Sequence, residues 1–137
     1  MTALRLPPEM RAEIVAHALA DAPRECCGLI AGKVGEATRL HRLSNLEPGT
    51  DFYRVDDAEL YALTRRLDAA GEDVWAIYHS HPTSPAEPST SDIELAAWPD
   101  AVYLICSLAI PGNPALRGFR IVDGTVTEVE LVAKSAV

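Results

Sequence analysis

The segment from Pro82 to Pro88 contains three prolines in seven residues. Proline has no backbone N–H and its ring fixes φ, so this segment cannot form a helix or lie inside a sheet. The residues before it, Val74–His79, are β-branched and aromatic, which is typical of a buried central strand. The chain therefore leaves a central strand through a stiff loop, and that loop decides where the next helix, predicted to begin at Ser89 and to continue to Ala97, can start.

The other predicted elements follow from hydrophobic periodicity and turn residues. One helix follows Pro7-Pro8 and ends near Pro23, and another covers Ala58–Ala70 and ends at Gly71, which suits a left-handed C-cap. Further strands are predicted over Cys26–Gly32, Glu36–Ser44, Ala101–Leu108, Leu116–Val122 and Thr125–Val132, the last two joined by the hairpin turn Asp123-Gly124. This order predicts an α/β chain of the α+β type, with a mixed β-sheet packed against helices.

Length and charge exclude several classes of protein. The chain has 137 residues, which predicts a single domain over residues 1–137. It carries 20 acidic and 12 basic side chains, a net charge of -8 that disfavours nucleic acid and anionic membranes as partners. No apolar stretch reaches the ~18 residues of a membrane span, and the first ten residues lack the apolar region of a signal peptide. We therefore expect a cytoplasmic protein.

The three cysteines do not form a disulfide framework. Their number is odd, and two of them, Cys26 and Cys27, are adjacent. We expect free thiols in a reducing compartment, with Cys27 as a small buried residue and Cys106 in the core of a strand.

The motif His79-Ser80-His81-Pro82 follows the buried strand directly and predicts a metal site. Residues i and i+2 of a strand point to the same side, so both imidazoles project together while Ser80 faces away. The stiff loop then leads to a helix whose first turn carries Asp92, a third possible ligand. Two histidines and one carboxylate leave a tetrahedral position open, as in catalytic zinc sites, although such ligands also accept other divalent ions.

Each of these residues also has a plainer interpretation. Two histidines at a strand end are as often solvated polar residues as ligands, and only the combination with the loop and Asp92 favours a metal. His17 lies inside the first helix, and His41 lies inside a strand with charged neighbours. Neither is followed by such a loop and carboxylate, and both are interpreted as ordinary surface or partly buried residues.

Glu25 and Ser89 are the candidate catalytic residues. A zinc hydrolase needs a carboxylate that does not bind the metal, to take a proton from the activated water and deliver it to the leaving amine. Glu25, between a proline turn and the strand that begins at Cys26, is that candidate. The Ser89 hydroxyl either caps the third helix or points at the developing oxyanion, and we expect these two roles to compete.

Together these residues resemble a known family. Glu25, His79-Ser80-His81-Pro82, Ser89 and Asp92 reproduce the E…H-[ST]-H-P-x6-S-x-x-D signature of the JAMM (MPN-plus) zinc metalloproteases. The resemblance covers nearly the whole chain and is greatest to compact, single-domain prokaryotic members. It implies a curved mixed sheet between helices, of cytidine-deaminase-like architecture. It also implies one zinc ion bound by His79, His81 and Asp92, with Glu25 as general acid/base and Ser89 at the oxyanion.

The resemblance also implies the class of substrate. Members of the family hydrolyse peptide or isopeptide bonds after the Gly-Gly tail of ubiquitin-like proteins, and compact members act on small sulfur-carrier proteins, for example releasing cysteine from a carrier–cysteine adduct. An extended tail of this kind needs a narrow groove, which the loop Glu47–Val55, with Phe52 and Tyr53, could line or merely connect.

Two other functions stay open at this stage. A thiol hydrolase would use Cys27 as nucleophile and His79 as base, but it leaves His81, Asp92 and Glu25 without roles. A noncatalytic module would bind a Gly-Gly tail in the same groove without hydrolysing it. The natural carrier, the leaving group, the oligomeric state and the regulation of access are not encoded in any motif.

Overall fold

A six-stranded sheet, a separate pair of short strands and three helices make up the computed structural model, which describes residues 3–133. The elements in chain order are β1 (Leu4–Leu6), α1 (Pro8–Asp21), β2 (Cys27–Lys33), β3 (Glu36–Leu43), α2 (Asp57–Ala70), β4 (Asp73–His81), α3 (Thr90–Leu95), β5 (Val102–Ser107), β6 (Ala115–Val122), β7 (Thr125–Val129) and β8 (Leu131–Ala133). The predicted α+β class is confirmed.

The large sheet is mixed, as predicted. Its strands lie in the order β3-β2-β4-β5-β6-β7, with β4 and β5 parallel and every other neighbouring pair antiparallel. Because β4 and β5 run parallel, their carboxyl ends, His81 and Ser107, lie side by side at one edge of the sheet. Ligands of open sheets bind at such carboxyl ends, so this topology places the histidine motif at a favourable edge.

Helices cover both faces of the sheet. On one face, Ile14 and Ala18 of α1 pack against a core that includes Tyr78. On the other face, Leu63 and Leu67 of α2 pack against a second core that includes Leu29, while α3 lies over a third core. Both faces of β4 are therefore buried, which explains why its sequence is apolar without alternation.

The central residues of the two tight hairpin turns all have positive φ. Val34 and Gly35 join β2 to β3 with φ of 52° and 78°, and Asp123 and Gly124 join β6 to β7 with φ of 50° and 79°. Positive φ at both central residues is the type I′ pattern, which matches the twist of antiparallel strands. The predicted Asp123-Gly124 turn is confirmed.

Three details differ from the sequence-based expectation. Leu4–Leu6 forms a strand that local periodicity did not predict, because this short strand pairs in parallel with β8 at the far end of the chain. The predicted strand Thr125–Val132 is interrupted at Glu130, and α3 ends at Leu95 rather than at Ala97.

No helix within residues 3–133 is long and apolar enough to span a membrane. The single domain over residues 1–137 stays a prediction.

Candidate metal centre

Strand β4 points the two motif histidines to the same side. The Nε2 atoms of His79 and His81 lie 3.1 Å apart, and both side chains are buried. Ser80 points to the opposite face, where its Oγ accepts a 2.8 Å hydrogen bond from the Cys26 amide. The alternation predicted for this strand is confirmed, and the amide of Cys26, next to Glu25 in the chain, is bonded directly to the strand that carries the histidines.

Helix α3 brings Asp92 to the same point. Its Oδ2 lies 3.1 Å from Nε2 of His79 and 3.1 Å from Nε2 of His81. The helix begins with a capping box, in which Ser89 Oγ accepts from the Asp92 amide and Asp92 Oδ2 accepts from the Ser89 amide at 2.9 Å. The same carboxylate oxygen thus caps the helix and faces both imidazoles.

The loop between strand and helix orients His81. Its Nδ1 lies 2.8 Å from the Pro85 carbonyl, which can only accept, so Nδ1 carries the proton and Nε2 presents a lone pair. The hydroxyl of Ser107 on β5 donates to the Ser84 carbonyl at 2.6 Å and holds this part of the loop. Such a bond on the far nitrogen is the usual support of a metal-binding histidine.

These three atoms fit a bound cation. In the neutral ring, Nε2 of His81 is an acceptor like Oδ2 of Asp92, and one proton on His79 cannot bridge three atoms that are mutually 3.1 Å apart. In a tetrahedral zinc site with bonds of about 2.0–2.1 Å, ligand atoms are about 3.3 Å apart. The donor set and its spacing therefore suit a small divalent cation with an open fourth position.

Glu25 lies beside this triangle. Its carboxylate is 4 % exposed, its Oε1 makes no hydrogen bond within residues 3–133, and an oxygen lies within 4.8 Å of the histidine nitrogens. Glu25, His79 and His81 could themselves hold an ion, but the shorter 3.1 Å contacts of Asp92 favour Asp92 as the third ligand. Glu25 then lies beside the three proposed ligands without being one of them.

Burial and local charge set the ionisation of the site. Burial raises the pKa of Glu25 from 4.5 to about 7; His81 opposes this shift, and the charges of Asp92 and Asp51 add to it. Burial alone would raise the pKa of Asp92, but hydrogen bonds with both histidines outweigh it and keep that pKa far below its usual range. Glu25 is therefore the one carboxylate here that titrates near neutrality.

The two imidazoles shift in opposite directions. Burial lowers the pKa of His79 despite the nearby Asp92. Burial also acts to lower the pKa of His81, but hydrogen bonds with Asp92 and with the Pro85 carbonyl outweigh it and raise that pKa.

The capping bond of Ser89 is compatible with its second predicted role. As the N-cap of α3, its Oγ accepts the Asp92 amide at 3.1 Å through a lone pair, which leaves the hydroxyl hydrogen available to donate elsewhere. Capping is thus present, and the expected competition with oxyanion stabilisation stays a prediction. Whether the hydroxyl serves an oxyanion stays a prediction.

The structure adds two residues to the site that no motif identified. The ring of Tyr53 stacks on His79 with centroids 4.6 Å apart and 27° between planes, and Asn45 Nδ2 donates to the Glu25 carbonyl at 2.9 Å. A cavity of about 280 Å³ extends from Asp92 between α2 and α3 and is bordered by Phe52, Tyr53 and Leu95. The aromatic pair Phe52-Tyr53 was the only sequence signal for this wall.

The remaining histidines lie outside the site. His17 is buried on α1, where its Nδ1 is 2.7 Å from the Tyr78 hydroxyl on the opposite face of the sheet. His41 lies on β3, beside Arg39 and Arg66 rather than among the ligands. His17 is thus buried rather than at the surface or partly buried as expected, because it bonds Tyr78 in the core, whereas His41 is half-buried as expected.

The cysteines are free and buried, as predicted. Cys27 pairs with His79 across the β2–β4 ladder, but His79 Nδ1 has no hydrogen-bond partner within residues 3–133. Burial raises the pKa of Cys27 to about 12, so it stays a thiol at neutral pH. These features argue against Cys27 as a nucleophile.

Comparison with protein families and known proteins agrees with this geometry. A family described as prokaryotic homologs of the JAB domain matches residues 7–122. A CysO-cysteine peptidase of Mycobacterium tuberculosis is 43% identical over 117 residues, covering 84% of this chain and 80% of that protein. A desampylase of Haloferax volcanii is 39% identical (76% and 80% covered), and a probable TtuB-protein conjugate cleaving protease of Thermus thermophilus is 37% identical (94% and 82% covered).

Solved structures show the same fold. A solution structure of a Desulfitobacterium hafniense protein superposes with a TM-score of 0.84 at 32% identity, covering 97% of this chain and 94% of that one. A JAB1/MPN domain protein from Archaeoglobus fulgidus superposes with a TM-score of 0.58 at 20% identity, covering 90% and 93%. The second likeness concerns the fold alone.

Proposed function

Because this chain belongs to the prokaryotic homologs of the JAB domain, as its JAMM signature predicted, we propose that it is a metallopeptidase. It hydrolyses the bond after the C-terminal Gly-Gly of a ubiquitin-like or sulfur-carrier protein, in keeping with the names of its relatives. The observation that carries this proposal is the 3.1 Å triangle of His79, His81 and Asp92 beside the buried Glu25, whose Oε1 has no hydrogen-bond partner within residues 3–133.

The proposed cofactor is one zinc ion per chain, held by His79 Nε2, His81 Nε2 and Asp92 Oδ2. Two imidazoles and a carboxylate are ligands that zinc favours, and three protein ligands leave a position open. When bound, the ion supplies Lewis-acid activation of water and of the scissile carbonyl. The chain's part is to orient these ligands, and the Pro85 carbonyl and the Ser89 amide do so for His81 and Asp92.

Glu25 is the proposed general acid/base. Its raised pKa of about 7 suits a group that first accepts a proton from the attacking water and then returns it to the leaving amine. The Ser89 hydroxyl, at the start of α3, is the proposed donor to the carbonyl oxygen as negative charge develops on it.

The cavity beside Asp92 is the proposed entry of the carrier tail. Its lining is mostly apolar and aromatic, with Arg54 and Asp57 also at its border, and it leads to Asp92, where an extended Gly-Gly tail would end. A carrier–cysteine adduct is the proposed substrate because the cysteine-releasing relative covers most of this chain at 43% identity. Isopeptide-linked lysine is the alternative leaving group, and the cytoplasmic location stays a prediction.

The test is intact-mass spectrometry of a small sulfur-carrier protein ending in Gly-Gly-Cys, incubated with the purified chain loaded with zinc. We expect loss of one cysteine, and we expect a chelator to abolish it. Glu25→Gln should stop turnover while zinc stays bound, whereas Glu9→Gln, exposed on α1, should behave as wild type.

Each alternative makes a different prediction in the same experiment. A thiol enzyme would lose activity with iodoacetamide and keep it with a chelator. A noncatalytic module would bind the carrier without changing its mass, and retained turnover in Glu25→Gln would refute the assigned base. Cleavage of a lysine-linked carrier, with none of the cysteine adduct, would reassign the leaving group.

A further inference from the structure

The side chain of Asn45 uses both ends of its amide. Its Nδ2 donates to the Glu25 carbonyl at 2.9 Å, and its Oδ1 accepts from the amides of Glu47 and Arg54, each at 2.9 Å. A partly buried side chain with three hydrogen bonds, one to the backbone at Glu25 and two to the backbone of the loop 46–54, fixes these two segments relative to one another. Asn45 therefore links the stretch that carries Glu25 to both ends of the loop 46–54.

The peptide group between Glu25 and Cys26 is held at both of its polar atoms. Asn45 binds the carbonyl, and Ser80 Oγ accepts from the amide at 2.8 Å. Glu25 precedes the first residue of β2, so the β2–β3 and β2–β4 ladders do not include it. These two side chains therefore hold the peptide group that follows Glu25, and a bond from the Ser80 amide to the Cys26 carbonyl at 3.1 Å holds the next one.

The loop at the other end of Asn45 reaches the metal centre and the cavity. It carries Tyr53, whose ring stacks on His79, and Phe52, which borders the cavity that opens at Asp92. The base of the loop is closed by Asn45 together with a bond from the Leu46 amide to the Arg54 carbonyl at 2.8 Å. The Asn45 side chain thus connects the loop that borders the cavity to the residue proposed as the base.

We propose that Asn45 is a positioning residue, which fixes the Glu25 carboxylate relative to the cavity wall and the histidine ligands. This inference rests on the proposed peptidase function. Proton transfer requires heavy atoms at about 2.6–3.2 Å, so a shift of the Glu25 backbone slows the chemical step even when the substrate still binds.

The fold does not depend on Asn45 alone. The Arg24 guanidinium donates to the carbonyls of Asn45 and Glu47 at 2.6 Å and 2.5 Å, bonds that use backbone oxygens and survive a change of the Asn45 side chain. Variants at position 45 are therefore expected to fold, so that an effect on rate can be separated from unfolding.

Two substitutions divide the functions of this amide. Asn45→Asp keeps oxygen acceptors for the Glu47 and Arg54 amides but replaces the donor to the Glu25 carbonyl with a repelling oxygen. Asn45→Ala removes all three bonds. Asn113→Asp, which adds the same charge at an exposed turn, is the matched control.

The kinetic measurement separates placement of the base from substrate binding. For Asn45→Asp we expect kcat to fall by about 10²-fold with KM within about twofold of wild type. For Asn45→Ala we expect the same fall in kcat and a rise in KM, because the cavity wall is released as well. Zinc content should equal that of wild type in both, and Asn113→Asp should match wild type throughout.

Backbone amide exchange of the zinc-loaded protein tests the linkage without any turnover. The Cys26 amide should exchange at least about tenfold faster in both variants, whereas the Glu47 and Arg54 amides should lose protection in Asn45→Ala only. Unchanged Cys26 exchange, or wild-type kcat in Asn45→Asp, would overturn the inference. If the expected exchange pattern appears but the wild-type chain cleaves no carrier, the linkage stands and the proposed function fails.

Discussion

Glu25 is an acid that folding makes harder to ionise. Its pKa rises from 4.5 to about 7 mainly because the carboxylate is buried, and its Oε1 accepts no compensating hydrogen bond from residues 3–133. A carboxyl group whose pKa is raised on folding holds its proton in the folded state over the pH range between the two values, while the unfolded chain releases it. Ionisation of Glu25 therefore opposes folding unless a cation lies nearby.

This difference predicts the pH dependence of stability of the chelator-treated protein. Glu25 should contribute a loss of about 1–3 kcal/mol in the free energy of unfolding as pH rises from about 4.5 to about 7, and little further change above that. Urea denaturation of wild type and Glu25→Gln at pH 5 and pH 8 isolates this contribution, because Gln does not titrate. An equal loss of unfolding free energy in wild type and Glu25→Gln would show that ionisation of Glu25 does not contribute to this pH dependence.

Helix α3 is only six residues long and depends on its cap. The Ser89–Asp92 capping box satisfies amides at its start, and the same Asp92 oxygen faces the two imidazoles. A helix this short has little stability of its own, so the cap and the carboxylate of the proposed third ligand depend on the same contacts.

Two substitutions at Ser89 separate capping from catalysis. Ser89→Ala should lower the free energy of unfolding by ~1 kcal/mol and weaken zinc binding, whereas Ser89→Gly, an acceptable N-cap, should cost only a few tenths of that. If the hydroxyl also serves the oxyanion, both variants should lose about 10²-fold in kcat. Thr90→Ala, one residue further on, serves as the control for helix propensity. Normal kcat in the glycine variant would restrict Ser89 to capping.

The β2–β3 turn contains a residue that fits it poorly. Val34 is β-branched, adopts φ of 52° and is 92 % exposed, so its side chain gains little packing in return. Val34→Asn, which creates the Asn-Gly pair that type I′ turns prefer, should raise the free energy of unfolding by about 0.5–1.5 kcal/mol. Urea denaturation measures the change, with Val126→Asn in β7 as a control that should not stabilise. A destabilised Val34→Asn would contradict this account of the turn.

Elements with a strong local pattern could be predicted from the sequence. The helix before Gly71 has regular leucine spacing, and the alternation around Ser80 correctly placed both histidines on one side. Asp92 could be predicted as their partner because a helix start with a capping serine has a defined geometry. The strand at Leu4–Leu6 could not, since it pairs with β8, more than 120 residues away.

The residues around the metal centre were harder to predict than the ligands. Asn45 lies in a loop without periodicity, and its partners lie 20 residues before it and up to nine after it. The stacking of Tyr53 on His79 depends on the same loop geometry. Such contacts follow from the tertiary structure, so a single sequence gives no signal for their partners.

At the scale of the whole molecule, the metal centre joins elements that are far apart in the chain. Glu25 lies just before β2, the histidines lie on β4 and Asp92 lies on α3. The sheet that carries the histidines has a packed core on each of its two faces. An ion bound here binds the folded chain and has no preformed site in the unfolded one, so binding and folding are linked.

Zinc should therefore stabilise the protein as a whole. At a free concentration of 100 times its dissociation constant, one ion should add about 2.7 kcal/mol to the free energy of unfolding. Thermal or urea denaturation with zinc and with a chelator measures this gain, and Asp92→Asn should abolish most of it. An equal gain in wild type and Asp92→Asn would mean that zinc binds elsewhere.

The two type I′ turns share a location that gives them a practical use. Gly32 on β2 pairs with Asp73 at the beginning of β4, and β6 ends at Val122 beyond the pairing of Phe119 with Tyr103. Both turns therefore lie at the edge of the sheet opposite the histidines. Fluorophores, affinity tags or an inserted reporter domain attached at Gly35 or Gly124 would extend away from the arriving carrier, and the enzyme could be immobilised there with its cleft facing solution.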